Sequence, residues 1–338
     1  MESLNVLVMT PGFDRSMPKA DEETLRQIAL VSPKIKVADG SALATAEFRG
    51  DPADKEKLEA MLAEAEVIYG LFLAPDIISR APKLKWVQTM SAGVDRFART
   101  DIWQSPVILT GVSGIHATPI GEYVLQVMLM FAKKAPLYFQ MKQKREWKRF
   151  MPSVLRSRTV GIVGLGSIGQ EVARLSKAFG MSVIATRRSV KQTTRTRYVD
   201  RLLPPEQLHQ LLAESDYVVI TLPLTPETRE IIGEEELKAM KPTACIINIG
   251  RGGLIDETAL IRALKENWIA GAGLDVTATE PLPADSPLWD FDNVILSPHV
   301  AGGMEDYVAR ATELFCENLR RYLSGKRLLN VINKKKGY

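Results

Sequence analysis

Three histidines, at positions 116, 209 and 299, are the chain's supply of imidazoles for proton transfer near neutral pH. They are too few for much of a metal site. The two cysteines, Cys245 and Cys316, cannot build a disulfide framework and suit a reducing compartment. Three segments place chemistry-bearing residues directly after strand-like apolar runs: Asn248–Asp256 with Arg251, Gly273–Pro283 with Glu280, and Leu296–Gly303 with His299. Open α/β sheets bind ligands outside the carboxyl ends of their strands, so these three residues are expected to converge on one cleft. Their chemistry is complementary. A guanidinium holds a carboxylate through two parallel bonds. An imidazole can protonate a carbonyl oxygen while hydride arrives at its carbon. A neighbouring carboxylate favours the imidazolium and fixes the ring. His209 lies on a polar helical stretch and is expected to be exposed. His116, just before Thr118, is a second candidate for the cleft.

Gly164-Leu-Gly-Ser-Ile-Gly169 follows the apolar run Thr159–Val163 and opens a helical pattern. In that context the glycines have distinct duties: Gly164 for a tight turn, Gly166 for approach of a pyrophosphate, and Gly169 for close helix–strand packing. The helix N-terminus would offer N–H groups to the phosphates. The end of the next strand normally carries an acid for the ribose hydroxyls. Here it reads Thr186-Arg187-Arg188-Ser189, followed by Lys191, Arg195 and Arg197. An arginine cannot accept from a hydroxyl but grips a 2′-phosphate well. The pattern predicts NADP(H) in preference to NAD(H), with NAD(H) as the alternative.

These motifs need a framework, and 338 residues suggest about two domains. With 46% hydrophobic and 25% charged residues the composition is globular, and a net charge of +4 is too mild for a nucleic-acid reader. The run Asn5–Thr10 is short, ends at Pro11 and follows no positive charge, so no secretory leader is expected. No membrane span is expected either, which predicts a cytoplasmic protein. Strand-like runs at Asn5–Thr10, 36–38, 66–71, 84–90 and 107–110 alternate with helical patterns at 21–30 (Asp21 as N-cap) and 51–65 (Pro52 in its first turn). A long buried helix follows the Thr118-Pro119 cap, then a basic segment over 133–158. A second alternation gives six strands at 159–163, 182–186, 217–222, 244–249, 271–276 and 293–297. The chain closes on an amphipathic helix at about 304–323.

The residues resemble the D-2-hydroxyacid dehydrogenases along nearly the whole chain. The segments are Ser91–Asp95, Gly114–Glu122, Gly164–Gly169, Leu222–Thr228, Asn248–Gly253, Asp275–Pro283 and Ser297–Gly303. The resemblance implies an α/β fold of two doubly wound parallel-sheet domains. A Rossmann cofactor domain at 103–299 would be inserted into a flavodoxin-like substrate domain formed by 1–102 and 300–338. It implies that Arg251, Glu280 and His299 form the catalytic trio. Ala92, Gly93 and Val94 would offer backbone N–H groups to the substrate carboxylate. Asp275 would lie near the nicotinamide and Pro223 near the adenosine. Ser167, Ile168, Leu222, Thr228, Ile249, Gly250 and Gly302 are further candidate cofactor contacts in the same motifs. The family's usual Asp after the second strand is Arg187 here, in keeping with NADP(H). The implied activity is NADPH-dependent reduction of a small 2-oxo acid, such as glyoxylate or hydroxypyruvate, in a homodimer joined through the long helix. Substrates of the 3-phosphoglycerate or aromatic type stay open, with Phe72, Met90, Trp147 and Met151 as candidate pocket residues. A similarity to C-terminal-binding-protein corepressors keeps a dinucleotide-sensing scaffold as the competing class.

Overall fold

The computed structural model describes residues 3–10, 20–51, 54–71 and 73–337, so the readings made for Pro52 and Phe72 lie outside it. The chain divides into two compact units, Met1–Ile115 with Met304–Tyr338 (unit 1) and His116–Gly303 (unit 2). The second is inserted in the first, but its boundaries fall later than 103 and 299. Residues 108–110 form the last strand of the first sheet, and the His299 segment is bonded to the sheet it follows.

Unit 1 has five strands among the described residues. They are β1 (Leu4–Met9), β2 (Ile35–Asp39), β3 (Val67–Gly70), β4 (Trp86–Thr89) and β5 (Ile108–Thr110). All are parallel, in the order β2-β1-β3-β4-β5, the flavodoxin-like order. β3 and β4 are buried throughout, as a sheet covered on both faces requires. Helix α1 (Glu22–Leu30) is capped as expected, the Asp21 carboxylate accepting from the Thr24 N–H at 2.8 Å. Two short helices, α2 (Ser41–Phe48) and α4 (Ile77–Arg80), were not expected, while α3 (Lys55–Glu64) starts four residues later than its pattern suggested. The sequence of α2, Ser-Ala-Leu-Ala-Thr-Ala-Glu-Phe, has too few large apolar residues to show a helical period.

Unit 2 opens on α5 (Ala117–Ala132) and α6 (Ala135–Gln143). His116, not Thr118, occupies the N-cap of α5. Then come β6 (Thr159–Val163), α7 (Ser167–Ala178), β7 (Ser182–Thr186), β8 (Thr194–Thr196), β9 (Val199–Leu203), α8 (Leu208–Glu214), β10 (Tyr217–Ile220), α9 (Glu234–Ala239), β11 (Cys245–Asn248), α10 (Glu257–Lys265), β12 (Gly271–Leu274) and β13 (Val294–Leu296). The sheet order is β13-β12-β11-β10-β6-β7-β9-β8. Counted from β9, the parallel strands run third, second, first, fourth, fifth and onward, the order of a dinucleotide-binding sheet. The sheet thus has eight strands where six were expected. The additional pair is the β8–β9 hairpin, antiparallel within itself, with β9 parallel to β7. Its arginines and exposed threonines masked the strand pattern.

The chain then returns to unit 1 as α11 (Tyr307–Leu323). Phe315 stacks on Tyr69 with ring centroids 4.3 Å apart. Beneath it lies a closed polar network. Trp86 Nε1 donates to Thr110 Oγ1 at 2.8 Å, and Gln88 Oε1 accepts from Thr110 Oγ1 at 2.7 Å and from Asn318 Nδ2 at 2.9 Å. Asn318 Oδ1 in turn accepts from the Leu329 N–H at 2.7 Å.

Candidate active site

Strand β6 delivers the chain into the glycine turn at the centre of the second sheet. Gly164 has φ +101°, a left-handed turn that a side chain would strain. A Cβ on Gly166 would meet nothing within 4 Å, so this stretch of backbone is open to a ligand. A Cβ on Gly169 would stand 2.5 Å from the Gly164 carbonyl oxygen, which shows how closely α7 packs on the turn. No side chain caps α7, and Gly166 and Ser167 at its start are exposed, with Ile168 half-buried. An open glycine before an uncapped 12-residue helix is what a dinucleotide pyrophosphate needs. Leu222 covers Gly164, since a Cβ there would come within 2.7 Å of Leu222 Cδ2.

At the end of β7 the Thr186 hydroxyl is buried and accepts from the Gly164 N–H at 3.3 Å. Arg187 and Arg188 follow it, both exposed. Arg195 lies on β8 and Arg197 in the hairpin turn, its guanidinium 4.7 Å from the Tyr198 ring centroid. Across the edge, Glu227 is held below the usual carboxylate range, chiefly by the Thr225 hydroxyl, with the Arg188 charge contributing. Thr228 serves its own turn: its hydroxyl donates to the Pro223 carbonyl at 2.7 Å and accepts from the Thr225 N–H at 2.8 Å. Pro223 is exposed.

The loops after β11, β12 and β13 carry Arg251, Glu280 and His299. Gly250 donates to the Asn248 side-chain oxygen at 3.1 Å, and Asn248 Nδ2 donates to the Arg251 carbonyl at 2.8 Å, which fixes the turn after buried Ile249. Arg251 Nη1 donates to the Gly250 carbonyl at 2.8 Å. The next loop presses against this one: a Cβ on Gly252 would overlap the Thr277 carbonyl at 2.0 Å. Glu280 Oε2 lies 2.8 Å from His299 Nδ1, and the pair is open to solvent. Since Nδ1 faces the carboxylate, Nε2 is the imidazole nitrogen left for a reactant.

His299 has φ +54°, a left-handed backbone that costs a β-carbon-bearing residue about 1 kcal/mol. Its N–H donates to the Asp275 carbonyl at 2.8 Å. The Asp275 side chain, 3% exposed, accepts from the N–H groups of Val300 at 2.8 Å and Ala301 at 3.0 Å and from Ser297 Oγ at 2.6 Å. Ser297 Oγ also meets the Tyr123 hydroxyl at 2.6 Å. Sequence reasoning missed Tyr123 and Ser297 as members of this group. Ser297 stood inside a quoted motif; Tyr123 carried no signal.

His116 belongs to the same neighbourhood. Burial, and then the Arg251 charge, push its imidazole down to about 4, which favours the neutral ring. Its ring lies on Gly302, where a Cβ would be 2.8 Å from Cδ2. His209 is exposed and meets Glu236 at 2.9 Å. Ala92, Gly93 and Val94 belong to unit 1, in the turn after β4, where the Ser91 hydroxyl donates to the Gly93 carbonyl at 2.8 Å. Met90 is fully buried in the unit 1 core, and Trp147 (97% exposed) and Met151 (85%) are surface side chains.

Residues 125–301 match the family described as D-isomer specific 2-hydroxyacid dehydrogenase, NAD binding domain. The chain is 36% identical over 297 residues to a glyoxylate reductase of Aeropyrum pernix, covering 84% of this chain and 87% of that one. The chain belongs to the D-isomer specific 2-hydroxyacid dehydrogenase family. It is 37% identical over 284 residues to glyoxylate/hydroxypyruvate reductase B of Pectobacterium carotovorum, covering 80% and 87% of the two chains. Among solved structures it is similar to an NADPH-dependent glyoxylate/hydroxypyruvate reductase of Sinorhizobium meliloti in complex with NADP and sulfate. There the TM-score is 0.80 and the identity 29%, covering 99% of this chain and 100% of that one. As a family member this dehydrogenase is an oxidoreductase of 2-oxo and 2-hydroxy acids, and unit 2 is its nicotinamide-dinucleotide domain. Among the described residues, no helix is long and apolar enough to cross a membrane.

Proposed function

We propose that the enzyme reduces a small 2-oxo acid of the glyoxylate or hydroxypyruvate type to the D-2-hydroxy acid, with NADPH as reductant. The observation that carries this reading is the 2.8 Å His299–Glu280 pair in a sheet-end loop cluster that also holds Arg251. A bound nicotinamide dinucleotide supplies hydride to the carbonyl carbon. Gly166 and the start of α7 hold its pyrophosphate, and Asp275 stands on the nicotinamide side. Arg187 and Arg188 take the 2′-phosphate, which an acid at the end of β7 would repel. Arg251 binds the substrate carboxylate. His299, oriented by Glu280, delivers a proton from Nε2 to the carbonyl oxygen as hydride adds. The run 137–154 exposes Leu137, Tyr138, Phe139, Trp147, Met151 and Val154, which supports a homodimer in the α5–α6 region. Sedimentation velocity tests that assembly.

The test is kcat/KM for glyoxylate, hydroxypyruvate, 3-phosphohydroxypyruvate and phenylpyruvate with NADPH and NADH. Glyoxylate or hydroxypyruvate with NADPH is expected to be best. His299→Gln is expected to lower kcat by roughly a hundredfold or more. Near-normal turnover by that variant would overturn the assigned acid. Tight NADPH binding with no acid reduced would point instead to a dinucleotide-sensing scaffold.

A further inference from the structure

The family assignment accounts for the residues that meet ligands. It does not account for what holds His299 in a backbone conformation that its side chain disfavours. The segment 297–302 is gripped at three places. At its start, Ser297 Oγ stands 2.6 Å from both Asp275 Oδ1 and the Tyr123 hydroxyl. In its middle, the Asp275 carboxylate takes the Val300 and Ala301 N–H groups. At its end, Gly302 lies under the His116 ring, with room for no β-carbon. Tyr123 and His116 are seven residues apart, about two turns along one face of α5.

The direction of the hydrogen bonds follows from the donor inventory. A carboxylate accepting three bonds leaves the Ser297 proton nowhere else to point, so Ser297 donates to Asp275 and Tyr123 donates to Ser297. The phenol thus closes a chain that ends on the only fully buried carboxylate among the described residues. His116 suits its place because a neutral ring can sit beside the Arg251 charge.

We propose that α5 is the positioning element of the catalytic histidine. Tyr123 sets the start of the His299 segment through Ser297 and Asp275, and His116 buttresses its end at Gly302. Neither side chain is assigned contact with substrate; both act through the segment they hold. The inference rests on His299 being the proton donor. The titratable and charged groups around the segment are Glu280 and Asp275 from the loop after β12, Arg251 from the loop after β11, and Tyr123 and His116 from α5.

The test uses Tyr123→Phe, Ser297→Ala and the double variant of the full-length enzyme. Two readouts are taken: steady-state kinetics across pH, and the imidazole proton resonances by NMR without ligands. Three histidines make the spectrum assignable. Tyr123→Phe removes one oxygen atom, and an unchanged melting curve establishes that it folds. It is expected to lower kcat roughly tenfold with the KM for NADPH unchanged. The His299 imidazole resonances should shift and broaden, because a looser segment meets Glu280 less often. The double variant should be no worse than the poorer single one, because both break one chain. Unchanged kcat and unchanged His299 imidazole resonances in Tyr123→Phe, or losses that multiply in the double variant, would overturn the proposal. If His299→Gln stays active, the assignment of the acid fails instead, and the ligand-free imidazole spectrum still decides whether Tyr123 positions the ring.

Discussion

The two sheets share one architectural plan, yet they place their polar side chains in opposite ways. In unit 1, Trp86, Gln88, Thr110 and Asn318 lie in the core and satisfy one another. In unit 2, Arg187, Arg188, Glu280 and His299 stand at strand ends and are exposed. Its one buried charge, Asp275, caps the backbone that carries His299. A closed internal network contributes stability and a unique packing; side chains exposed at strand ends are accessible to ligands. The contrast teaches that the fold alone does not mark a reactive sheet. What distinguishes the second sheet is that its polar side chains stand at exposed strand ends.

That contrast can be broken by experiment. The largest expected effect is in unit 1. Asn318→Ala leaves the Leu329 N–H and carbonyl without their partner and should lower stability by about 4 kcal/mol. Chemical denaturation measures this, and kcat per folded molecule should hold. A large loss of kcat in the folded fraction would break the division of labour. The next concerns His116, whose folded pKa of about 4 lies below its ordinary value of 6.5. Between those values the unfolded chain binds more protons, so stability rises with pH. The contribution is complete above about pH 6.5 and is lost as pH falls toward 4, about 3 kcal/mol in all. Denaturant midpoints at several pH values should show a flatter profile for His116→Gln. The smallest effect is Arg187→Asp, expected to cut kcat/KM with NADPH roughly thirtyfold and to favour NADH, with the melting temperature unchanged. Retained NADPH preference would show that the exposed arginine is not the discriminating group.

Much of this was legible in the sequence because it is local. The glycine turn needs only its flanking strand and helix to be recognised, and Arg251, Glu280 and His299 each follow a strand within a few residues. What was hidden is either irregular or long-range. The β8–β9 hairpin alternates threonine and arginine at an exposed edge, so no apolar period betrays it. Val107–Thr110 was read correctly as a strand, yet its partner sheet, and hence the unit boundary, is a pairing that local pattern does not contain. Tyr123 meets Ser297 across 174 residues, and on α5 it resembles any half-buried aromatic side chain. His116 was seen as a candidate, but its neutrality depends on burial and on the charge of Arg251, 135 positions away in the chain.

The hairpin has one more consequence. β8 is the outermost strand of its sheet, and its three residues are exposed, so its free edge could template pairing with another chain. Arg195 sits in the middle of that edge, with Arg197 beside it. Positive charge on an edge strand discourages such pairing. The basic loop that is proposed to choose the cofactor therefore also discourages edge pairing. A redesign for NADH that neutralises Arg195 and Arg197 along with Arg187 would gain its specificity in a protein more prone to aggregate, whereas a change confined to Arg187 would leave the guard in place.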